Sequence, residues 1–444
     1  MPAELRAFLL QAMGREDSKG RRPTAGRPGV ERVPRGCGGR DLSGRRHLMT
    51  APKGTVWPLG PHSLGKHRVL EEYLKAWLPI LGQTQGRILF LDGFAGPGEY
   101  KQGEKGSPII ALEAFLNHSA RQKITAEVKF VFVEKERDRA EHLRRLVTPL
   151  AECLPAGSDA QIVCGAFDET VARELDALID ANETLAPCFA MVDPFGVRDT
   201  PMAVLRRILA HARSEVYVSV MYEYINRFDE VAEFEAPLAS LYGCDDWKDC
   251  ADIADSRARR QCFFDLYKRQ LKEAGAEQVI HFDLYEGSRH KYSIFHASRH
   301  HLASDKMKAA IWSIDPGGNF IFRGGQTDQL LLGVDEPNFA PLRDALRDRF
   351  GGKGWVRIED VEEFVMSDKT DYHSSQLRTK ALMPMEDVGE FEVEVPDKAT
   401  SQQAMIPGLL EDGPPPPRKV KNYPRGTKLR IAPAADGSRG IAGG

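Results

Sequence analysis

The chain has 444 residues, of which 42% are hydrophobic, enough to build the cores of two or three domains of ordinary size. It contains no run of about 18 apolar residues, which excludes a membrane-spanning helix. The formal net charge of −3 excludes a uniformly basic protein, although the charge is spread unevenly along the chain.

The first segment, residues 1–55, is rich in arginine, glycine and proline. Its first 50 residues carry ten arginines and Lys19 against five acidic residues, a net charge of +6. Such a composition cannot bury a core, so we predict a disordered basic extension. Two interpretations stay open: Met49 is the real start of the protein, or the arginines contact nucleic acid.

The seven cysteines follow no pairing pattern, because their number is odd and no C-x-x-C pair occurs. Several lie in apolar segments, which indicates reduced thiols in a cytoplasmic protein. Cys244, Cys250 and Cys262 lack a standard ligand spacing, so we predict no metal site.

A helix over Val69–Leu81 leads into the first landmark, Arg87–Tyr100, which reads R-I-L-F-L-D-G-F-A-G-P-G-E-Y. The apolar run Ile88–Leu91 predicts a fully buried parallel strand, and the glycines after it predict a turn at its carboxyl end. Open α/β sheets bind their ligands at such ends.

The glycine loop is compatible with a dinucleotide, with S-adenosylmethionine or with a plain tight turn. A dinucleotide loop requires G-x-G-x-x-G, which this segment lacks, and no G-K-[ST] follows for a Walker loop. The order of an acid, a glycine, a small residue and Gly-Pro-Gly resembles the first motif of Rossmann-like methyltransferases, and this resemblance favours the methyl donor. The alternative is a relic of such a fold that binds no ligand. The predicted donor-binding residues in this loop are Asp92, Gly93, Ala95, Gly96 and Gly98.

The next two elements offer further donor contacts. Ser107 and Pro108 open a helix, where Ser107 serves either as an N-cap or as a ligand contact. The second strand, Lys129–Glu134, ends in an acid. In a doubly wound sheet, the Glu134 carboxylate at this place can accept hydrogen bonds from ribose hydroxyls.

A short third strand, Gln161–Cys164, is followed by Phe167 and Asp168. In methyltransferases this position flanks the adenine, with the ring on its face and the acid on its amino group. The alternative is that Asp168 caps the next helix.

The fourth strand, Cys188–Asp193, runs straight into a proline, an aromatic residue and a glycine. Amino-group methyltransferases build their catalytic corner in this way. The carboxylate and a backbone carbonyl accept both amine hydrogens and turn the nitrogen toward the methyl group, while the ring stacks on the base. The alternative is a strand-ending turn with the acid as a cap. The predicted catalytic residues are Asp193, Pro194, Phe195 and Gly196.

Three more strands complete the predicted sheet. Glu215–Tyr222 is the fifth, a helical insertion follows at about 227–275, and Val279–Leu284 with Tyr292–Ala297 forms an antiparallel pair. Residues 56–335 are therefore predicted as an α/β domain with a Rossmann-like, seven-stranded methyltransferase sheet.

Residues 336–432 predict a second, α+β domain. The helices Val356–Met366 and Tyr372–Glu386, the strand Glu390–Val395 and a basic stretch resemble a winged helix, with Pro414–Pro417 at the wing tip. Its second helix would enter a groove of the nucleic acid, although many winged helices bind only protein. The predicted nucleic-acid-binding residues are Gln376, Arg378, Lys380, Arg418, Lys419, Lys421, Arg425 and Lys428. Residues 433–444 are predicted as a disordered tail.

With these motifs, the chain resembles the three-Cys-motif partner family, TcmP, over roughly residues 60–430. The matching segments include L-D-G-F-A-G-P-G-E-Y, G-S-P-I-I-A-L-E, F-V-F-V-E-K, V-D-P-F-G-V, Y-I-N-R-F, F-H-A-S-R-H and M-K-A-A-I-W. The resemblance implies a Rossmann-type methyltransferase fold and a partner protein with a three-cysteine motif.

A second, local similarity lies in D-P-F-G, which tRNA guanine amino-group dimethyltransferases also carry. It implies that Asp193 holds the amine and that Phe195 stacks on the base. The tetrapeptide departs from the adenine amino-methyltransferase pattern, which usually has two prolines before its aromatic residue.

The sequence thus predicts a cytoplasmic, S-adenosylmethionine-dependent transferase acting on an exocyclic amine of a base in DNA or RNA. The rival hypothesis is a non-catalytic nucleic-acid-binding partner that uses an old transferase fold as a scaffold. An open crevice joining Asp92, Glu134, Asp168 and Asp193 favours the enzyme, and a crevice filled by side chains favours the scaffold.

Overall fold

The computed structural model describes residues 54–228, 231–286, 289–324, 337–396 and 421–433. The predicted basic extension up to residue 53 and the predicted tail from residue 434 lie outside the described residues. Arg418, Lys419 and the proline run at 414–417 lie outside them as well.

The described residues up to Gly324 form an α/β domain around one sheet. Its strand order is β3-β2-β1-β4-β5-β7-β6-β8. In chain order, its elements are α1 (Pro61–Gly82), β1 (Arg87–Asp92), α2 (Ser107–Leu116), β2 (Glu127–Glu134), α3 (Arg137–Ala151), β3 (Asp159–Cys164), α4 (Phe167–Asp180), β4 (Cys188–Val192), α5 (Met202–Leu209), β5 (Glu215–Val220), α6 (Tyr222–Phe228), α7 (Ala232–Tyr242), α8 (Trp247–Ala251), α9 (Ser256–Glu273), β6 (Gln278–Glu286), β7 (Arg289–Ser298), α10 (His301–Ile314) and β8 (Ile321–Gly324).

The first five strands are parallel, which confirms the predicted α/β class. Every residue of β1, β4 and β5 is buried, as expected for strands that helices cover on both faces. The chain winds outward from β1 to β3 and then returns to place β4 on the other side of β1. Ligands of open sheets bind at such a reversal, beyond the carboxyl ends of the strands.

The far edge of the sheet corrects the prediction of seven strands. β7 runs antiparallel to both β5 and β6, as predicted, but the four-residue strand β8 adds an eighth and pairs in parallel with β6. Phe322 of β8 packs against Gly65 of α1, where a Cβ would lie 2.5 Å from the ring. The four residues of β8 are too few to show an alternating pattern, so this strand could not be predicted from the sequence.

The predicted insertion after β5 is helical and contains α7, α8 and α9. A disulfide joins Cys250 to Cys262 there, which corrects the expectation that the thiols are reduced. Cys153, Cys164, Cys188 and Cys244 are free, as expected. None of the described helices is long and apolar enough to cross a membrane.

The described C-terminal residues form a separate α+β unit with its own hydrophobic core. Its three strands pair antiparallel in the order β10-β11-β9. The predicted helix Val356–Met366 includes the two residues of β9, and α11 was not predicted. In chain order, the elements are α11 (Ala340–Phe350), β9 (Val356–Arg357), α12 (Ile358–Met366), α13 (Ser374–Gln376), a π-helical stretch (Leu377–Leu382), α14 (Met383–Asp387), β10 (Phe391–Glu394) and β11 (Lys428–Ile431).

Helix α10 joins the two units through the turn between α12 and α13. The ammonium of Lys308 donates to the carbonyls of Val365, Ser367 and Thr370 at 2.5, 2.8 and 3.1 Å. The indole N–H of Trp312, one turn further along α10, donates to the carbonyl of Asp371 at 2.7 Å. The side chains of α10 therefore bind carbonyls in the last turn of α12 and in the turn that follows it.

Candidate functional site

The glycine loop lies over the carboxyl ends of β1, β2 and β4. The amide of Gly93 donates to the carbonyl of Met191 at 2.8 Å, and the amide of Ala95 donates to that of Val133 at 2.9 Å. Gly96 and Gly98 have φ angles of +63° and +86°, which side chains rarely adopt. The loop is thus fixed at the switch point by strand-end carbonyls and by two left-handed glycines.

Asp92 ends β1 and is completely buried beneath this loop. Its carboxylate accepts the hydroxyl of Ser107 at 2.6 Å and the amide of Phe94 at 3.1 Å. Burial raises the pKa of Asp92 to about 7, against the lowering effect of these two donors and with further raising by Asp193 and Glu134. Two neighbouring carboxylates thus add to the effect of burial on the pKa of Asp92.

The predicted N-cap role of Ser107 is wrong, because Gly106 occupies the N-cap position of α2. The Ser107 hydroxyl instead binds Asp92. A Cβ at Gly106 would lie 2.9 Å from the backbone of Gly98, so the start of α2 is pressed against the glycine loop.

Glu134 ends β2 on the other side of the loop and is 7% exposed. One of its carboxylate oxygens accepts the amide of Glu136 at 2.7 Å. Burial raises the pKa of Glu134, while the amides of Glu136 and Gly96 and the charge of Arg139 lower it. Its predicted contact with ribose hydroxyls stays a prediction.

Phe167 packs beneath the glycine loop, where it is 1% exposed. A Cβ at Gly93 would lie 2.3 Å from its ring, so this glycine is required for the ring to fit. Asp168 lies in the first turn of α4, but Ala166 occupies the N-cap position, so the predicted capping role is wrong. Asp168 has no side-chain partner among the described residues, and its contact with adenine stays a prediction.

The predicted catalytic corner follows β4. The carboxylate of Asp193 pairs with the ammonium of Lys66, whose Nζ lies 2.5 Å from Oδ2. The two side chains are 22% and 5% exposed. Burial raises the pKa of Asp193, but the charge and hydrogen bond of Lys66 outweigh it and hold the pKa below its usual value. Asp193 thus serves as the partner of a lysine, and the alternative that it caps a turn is not observed.

The rest of the tetrapeptide shapes the corner. Pro194 is buried, and Gly196 takes a φ of +110° while its amide lies 3.1 Å from the sulfur of Met221. The Phe195 ring is 50% exposed, which is unusual for a large apolar side chain. The corner therefore presents a half-exposed aromatic ring near a paired carboxylate.

Lys66 and His67 lie on α1 near this corner, and no functional role was predicted for them from the sequence. The Lys66 ammonium also lies 4.7 Å from the ring centre of Tyr292 on β7. Burial, and then the neighbouring ammonium, lower the pKa of His67 to about 4, against a smaller raising effect of Asp193. The available signal was a Lys-His pair in a helix that is otherwise apolar on one face.

Four rings form a continuous row from α1 to the segment after β4. His67 lies 5.7 Å from Tyr100, Tyr100 lies 5.9 Å from Trp57, and Trp57 lies 5.8 Å from Phe195, all between ring centres. The outer atom of the Trp57 ring lies 3.7 Å from the place of a Cβ on Gly96. The row thus links the glycine loop to the predicted catalytic corner.

Most predicted nucleic-acid-binding residues in the described region pair with acids of their own domain. Arg378 binds Glu362 at 2.7 Å, Lys428 binds Glu394 at 2.8 Å, Arg425 lies 3.5 Å from Glu359, and Lys421 binds Asp387. The ammonium of Lys380 lies 5.5 Å from the Phe339 ring centre. Gln376 is 9% exposed, and its side chain accepts the amide of His373 in a capping box.

The start of α13 is bound by the α/β domain. Asp305 of α10 accepts the amide of Ser374 at 2.6 Å and its hydroxyl at 3.0 Å. In helix-turn-helix proteins this end of the second helix contacts bases. Here a carboxylate of the same chain binds it.

No protein-family model matches the chain, and no curated protein matches it significantly. Among solved structures, it is similar to an O-methyltransferase from Bacillus cereus in complex with SAH, with 13% identity, 51% of this chain and 80% of that chain covered, and a TM-score of 0.29. It is also similar to the methyltransferase domain of bacterial CtHen1-C, with 11% identity, 52% and 98% covered, and a TM-score of 0.27. Likenesses this distant do not establish a shared activity.

The described residues contain no group of three or more His, Cys, Asp or Glu side chains that could hold a metal ion.

Proposed function

We propose that the protein is an S-adenosylmethionine-dependent methyltransferase acting on an exocyclic amine of a base in DNA or RNA. The observation that carries the proposal is the glycine loop that two strand-end carbonyls fix at the switch point of the sheet, with Asp92 and Glu134 at the ends of β1 and β2. The charges of Asp193 and Glu134 both raise the pKa of the buried Asp92 carboxyl group. A carboxylate such as that of Glu134 at this edge favours a ligand with positive groups, and this donor carries a sulfonium and an ammonium.

The same charges argue against a dinucleotide. A pyrophosphate binds at a helix N-terminus that opens directly from the glycine loop. Here α2 starts only at Ser107, and the hydroxyl of that residue already binds Asp92. A dinucleotide would therefore place its two negative charges beside carboxylates without a free helix end to bind them.

The corner after β4 supports an amine as the acceptor. Lys66 donates to Oδ2 of Asp193, and the Ser219 hydroxyl also acts on this carboxylate as a hydrogen-bond donor. Since the two oxygens of a carboxylate offer about four acceptor positions, one position remains for a hydrogen of an amine. The exposed ring of Phe195 offers a flat face on which a base can stack. Holding the amine in this way orients its lone pair toward the methyl group.

The C-terminal unit fits a winged helix, since α11 and β9 are followed by α12, by the continuous helical segment from α13 to α14, and by two strands, with β11 between β9 and β10. Arg425 supports contact with phosphates, because its side chain is 89% exposed. The resemblance to the TcmP family adds a partner protein with a three-cysteine motif to the proposal.

Calorimetric titration with S-adenosylmethionine tests the donor site. Wild type is expected to bind with micromolar affinity, and Gly96→Trp is expected to lose binding because its side chain fills the loop. Gly103→Trp is the matched control: Gly103 also has a positive φ, of +86°, but no atom lies within 4 Å of its Cβ position. Equal loss in both variants would indicate backbone strain instead of a blocked site.

The position of Trp57 favours the second candidate function, a non-catalytic nucleic-acid-binding scaffold, because such a scaffold is expected to fill the donor site with side chains. Its ring touches the Cβ side of Gly96 and is held by the Arg139 guanidinium, 4.8 Å from the ring centre. The Trp57 carbonyl also accepts the amide of Lys101 at 2.9 Å. No heat and no thermal protection by the donor, for wild type and for Trp57→Ala alike, would favour this scaffold.

A further inference from the structure

One face of the C-terminal sheet carries an exposed ring among cations. Along β11 the side chains alternate, so that Leu429 and Ile431 are buried in the core while Lys428 and Arg430 lie on the outer face. Trp355 comes directly before β9 and is 42% exposed. Its ring centre lies 5.1 Å from the guanidinium carbon of Arg430. The ring therefore shares the outer face with these two cations.

Two further cations extend this face. In the sheet register, Arg357 of β9 lies opposite Lys428 of β11. The guanidinium groups of Arg357 and Arg425 each lie 3.5 Å from the carboxylate of Glu359, so two cations share one acid. The side chains of these two arginines are mostly exposed. Both are thus accessible to an anionic ligand.

The acids of β10 neutralise only the other two cations. Glu392 lies opposite Arg430, Glu394 lies opposite Lys428, and each carboxylate pairs with the cation that it faces. These four side chains are about half exposed, and exposed ion pairs of this kind contribute little to stability. A phosphate can compete for such cations. The excess of positive charge lies at the two arginines that share one acid.

We propose that this face binds a single-stranded nucleic acid, with one base stacked on Trp355 and phosphates bound by the surrounding cations. An aromatic platform beside backbone-binding cations is the arrangement that binds single strands. A duplex keeps its bases stacked on one another, so it cannot offer a free base to the ring. The inference rests on the proposed function and names the form of the nucleic acid that the protein binds.

The helical side of the unit is less suited to reading a duplex. Asp305 accepts the amide and the hydroxyl of Ser374 at the start of α13, the end that contacts bases in helix-turn-helix proteins. Arg378, in the π-helical stretch after α13, pairs with Glu362. Contacts within the chain therefore already engage the groups that would enter a groove.

A single strand also suits the proposed reaction. Enzymes that modify a base cannot reach it inside a duplex, so they act on a single strand or on a flipped nucleotide. Binding of an unpaired strand therefore presents the acceptor amine in a form that the donor can reach.

Fluorescence anisotropy of the full-length protein tests the proposal with labelled probes of about 12 nucleotides, within the range of known site sizes for single strands. The probes are oligouridylate, oligothymidylate and a DNA duplex of the same length. Wild type is expected to bind both single strands more tightly than the duplex. Trp355→Ala is expected to weaken single-strand binding roughly 10- to 100-fold, the range for loss of one stacking ring, and Trp355→Phe is expected to retain most of it.

The matched control is Val388→Ala, which removes another exposed apolar side chain of the same unit and should bind like wild type. The salt dependence of binding tests the cations separately. Arg357→Gln is expected to make the slope of log K against log salt shallower by about 0.7, the value for one phosphate contact on a single strand. Lys75→Gln, a change of an exposed lysine on α1, should leave the slope unchanged.

Single-strand affinity of Trp355→Ala equal to that of wild type would overturn the inference and leave the proposed function standing. Equal affinity of wild type for the duplex and the single strands would also overturn it, since the ring would then have no role. If wild type binds none of the probes, the nucleic-acid part of the proposed function fails and the inference fails with it. Thermal unfolding of each variant separates these cases from misfolding.

Discussion

Nζ of Lys66 lies 2.5 Å from Oδ2 of Asp193, although the two residues are 127 positions apart in the chain. The pair joins α1 to the end of β4 in a largely buried place. Removing one partner of such a pair leaves an uncompensated charge, which costs more than the pair contributes.

Lys66→Met is therefore expected to lower the free energy of unfolding by about 3 kcal/mol at pH 7, measured by urea denaturation. The pKa of Asp193 is lowered in the folded state, so the pair stabilises above the ordinary pKa of an aspartate and loses this effect as the pH falls through the folded value. Lys75→Met breaks only an exposed pair with Glu72 and should cost less than about 1 kcal/mol. Equal losses of unfolding free energy in the two variants would contradict the stabilising role of the buried pair of Lys66 and Asp193.

Asp92→Asn is expected to have the opposite pH dependence. Because the folded pKa of Asp92 is raised from 3.8 to about 7, its ionisation destabilises the folded state as the pH rises through that range. The variant should therefore gain stability relative to wild type between pH 5 and pH 8, by at most about 4 kcal/mol. Thermal unfolding at pH 5 and at pH 8 measures the difference in stability between the variant and wild type. A difference that is the same at both pH values would contradict a raised pKa of Asp92.

Gly93→Ala tests the packing of Phe167 beneath the loop. The added Cβ would lie 2.3 Å from the ring, an overlap that should cost about 1–3 kcal/mol. Combining it with Phe167→Leu, which makes room, should recover part of the loss in a double-mutant cycle. Strict additivity of the two changes would argue against the contact.

Lys308→Met tests the joint between the two units. Burial lowers the pKa of Lys308 to about 8, and its ammonium donates to the carbonyls of Val365 in α12 and of Ser367 and Thr370 in the turn after it. The variant removes these three hydrogen bonds, although the Val365 carbonyl keeps the Thr370 hydroxyl, so limited proteolysis should cut the turn at residues 367–373 faster than in wild type. Lys306→Met, which affects only a contact with Asp305, is the control and should be cut at the wild-type rate.

The sequence was sufficient for those parts of the fold that local patterns encode. The buried runs of β1 and β4 and the residues that follow them predicted the switch point and both landmarks of the site. Lys66 could not be recognised, because its partner is distant in sequence and its own neighbours suggest an ordinary helix. Gln376 was predicted as an exposed contact, but its place three residues after His373 makes it part of a capping box.

The measurement that tests the central claim most directly is a pair of titrations of wild type, one with S-adenosylmethionine and one with NAD⁺. The proposed donor site predicts micromolar binding of the methyl donor and no detectable heat with the dinucleotide. Binding of NAD⁺ with equal or greater affinity would contradict the account, because the glycine loop and the Glu134 carboxylate would then not select the methyl donor.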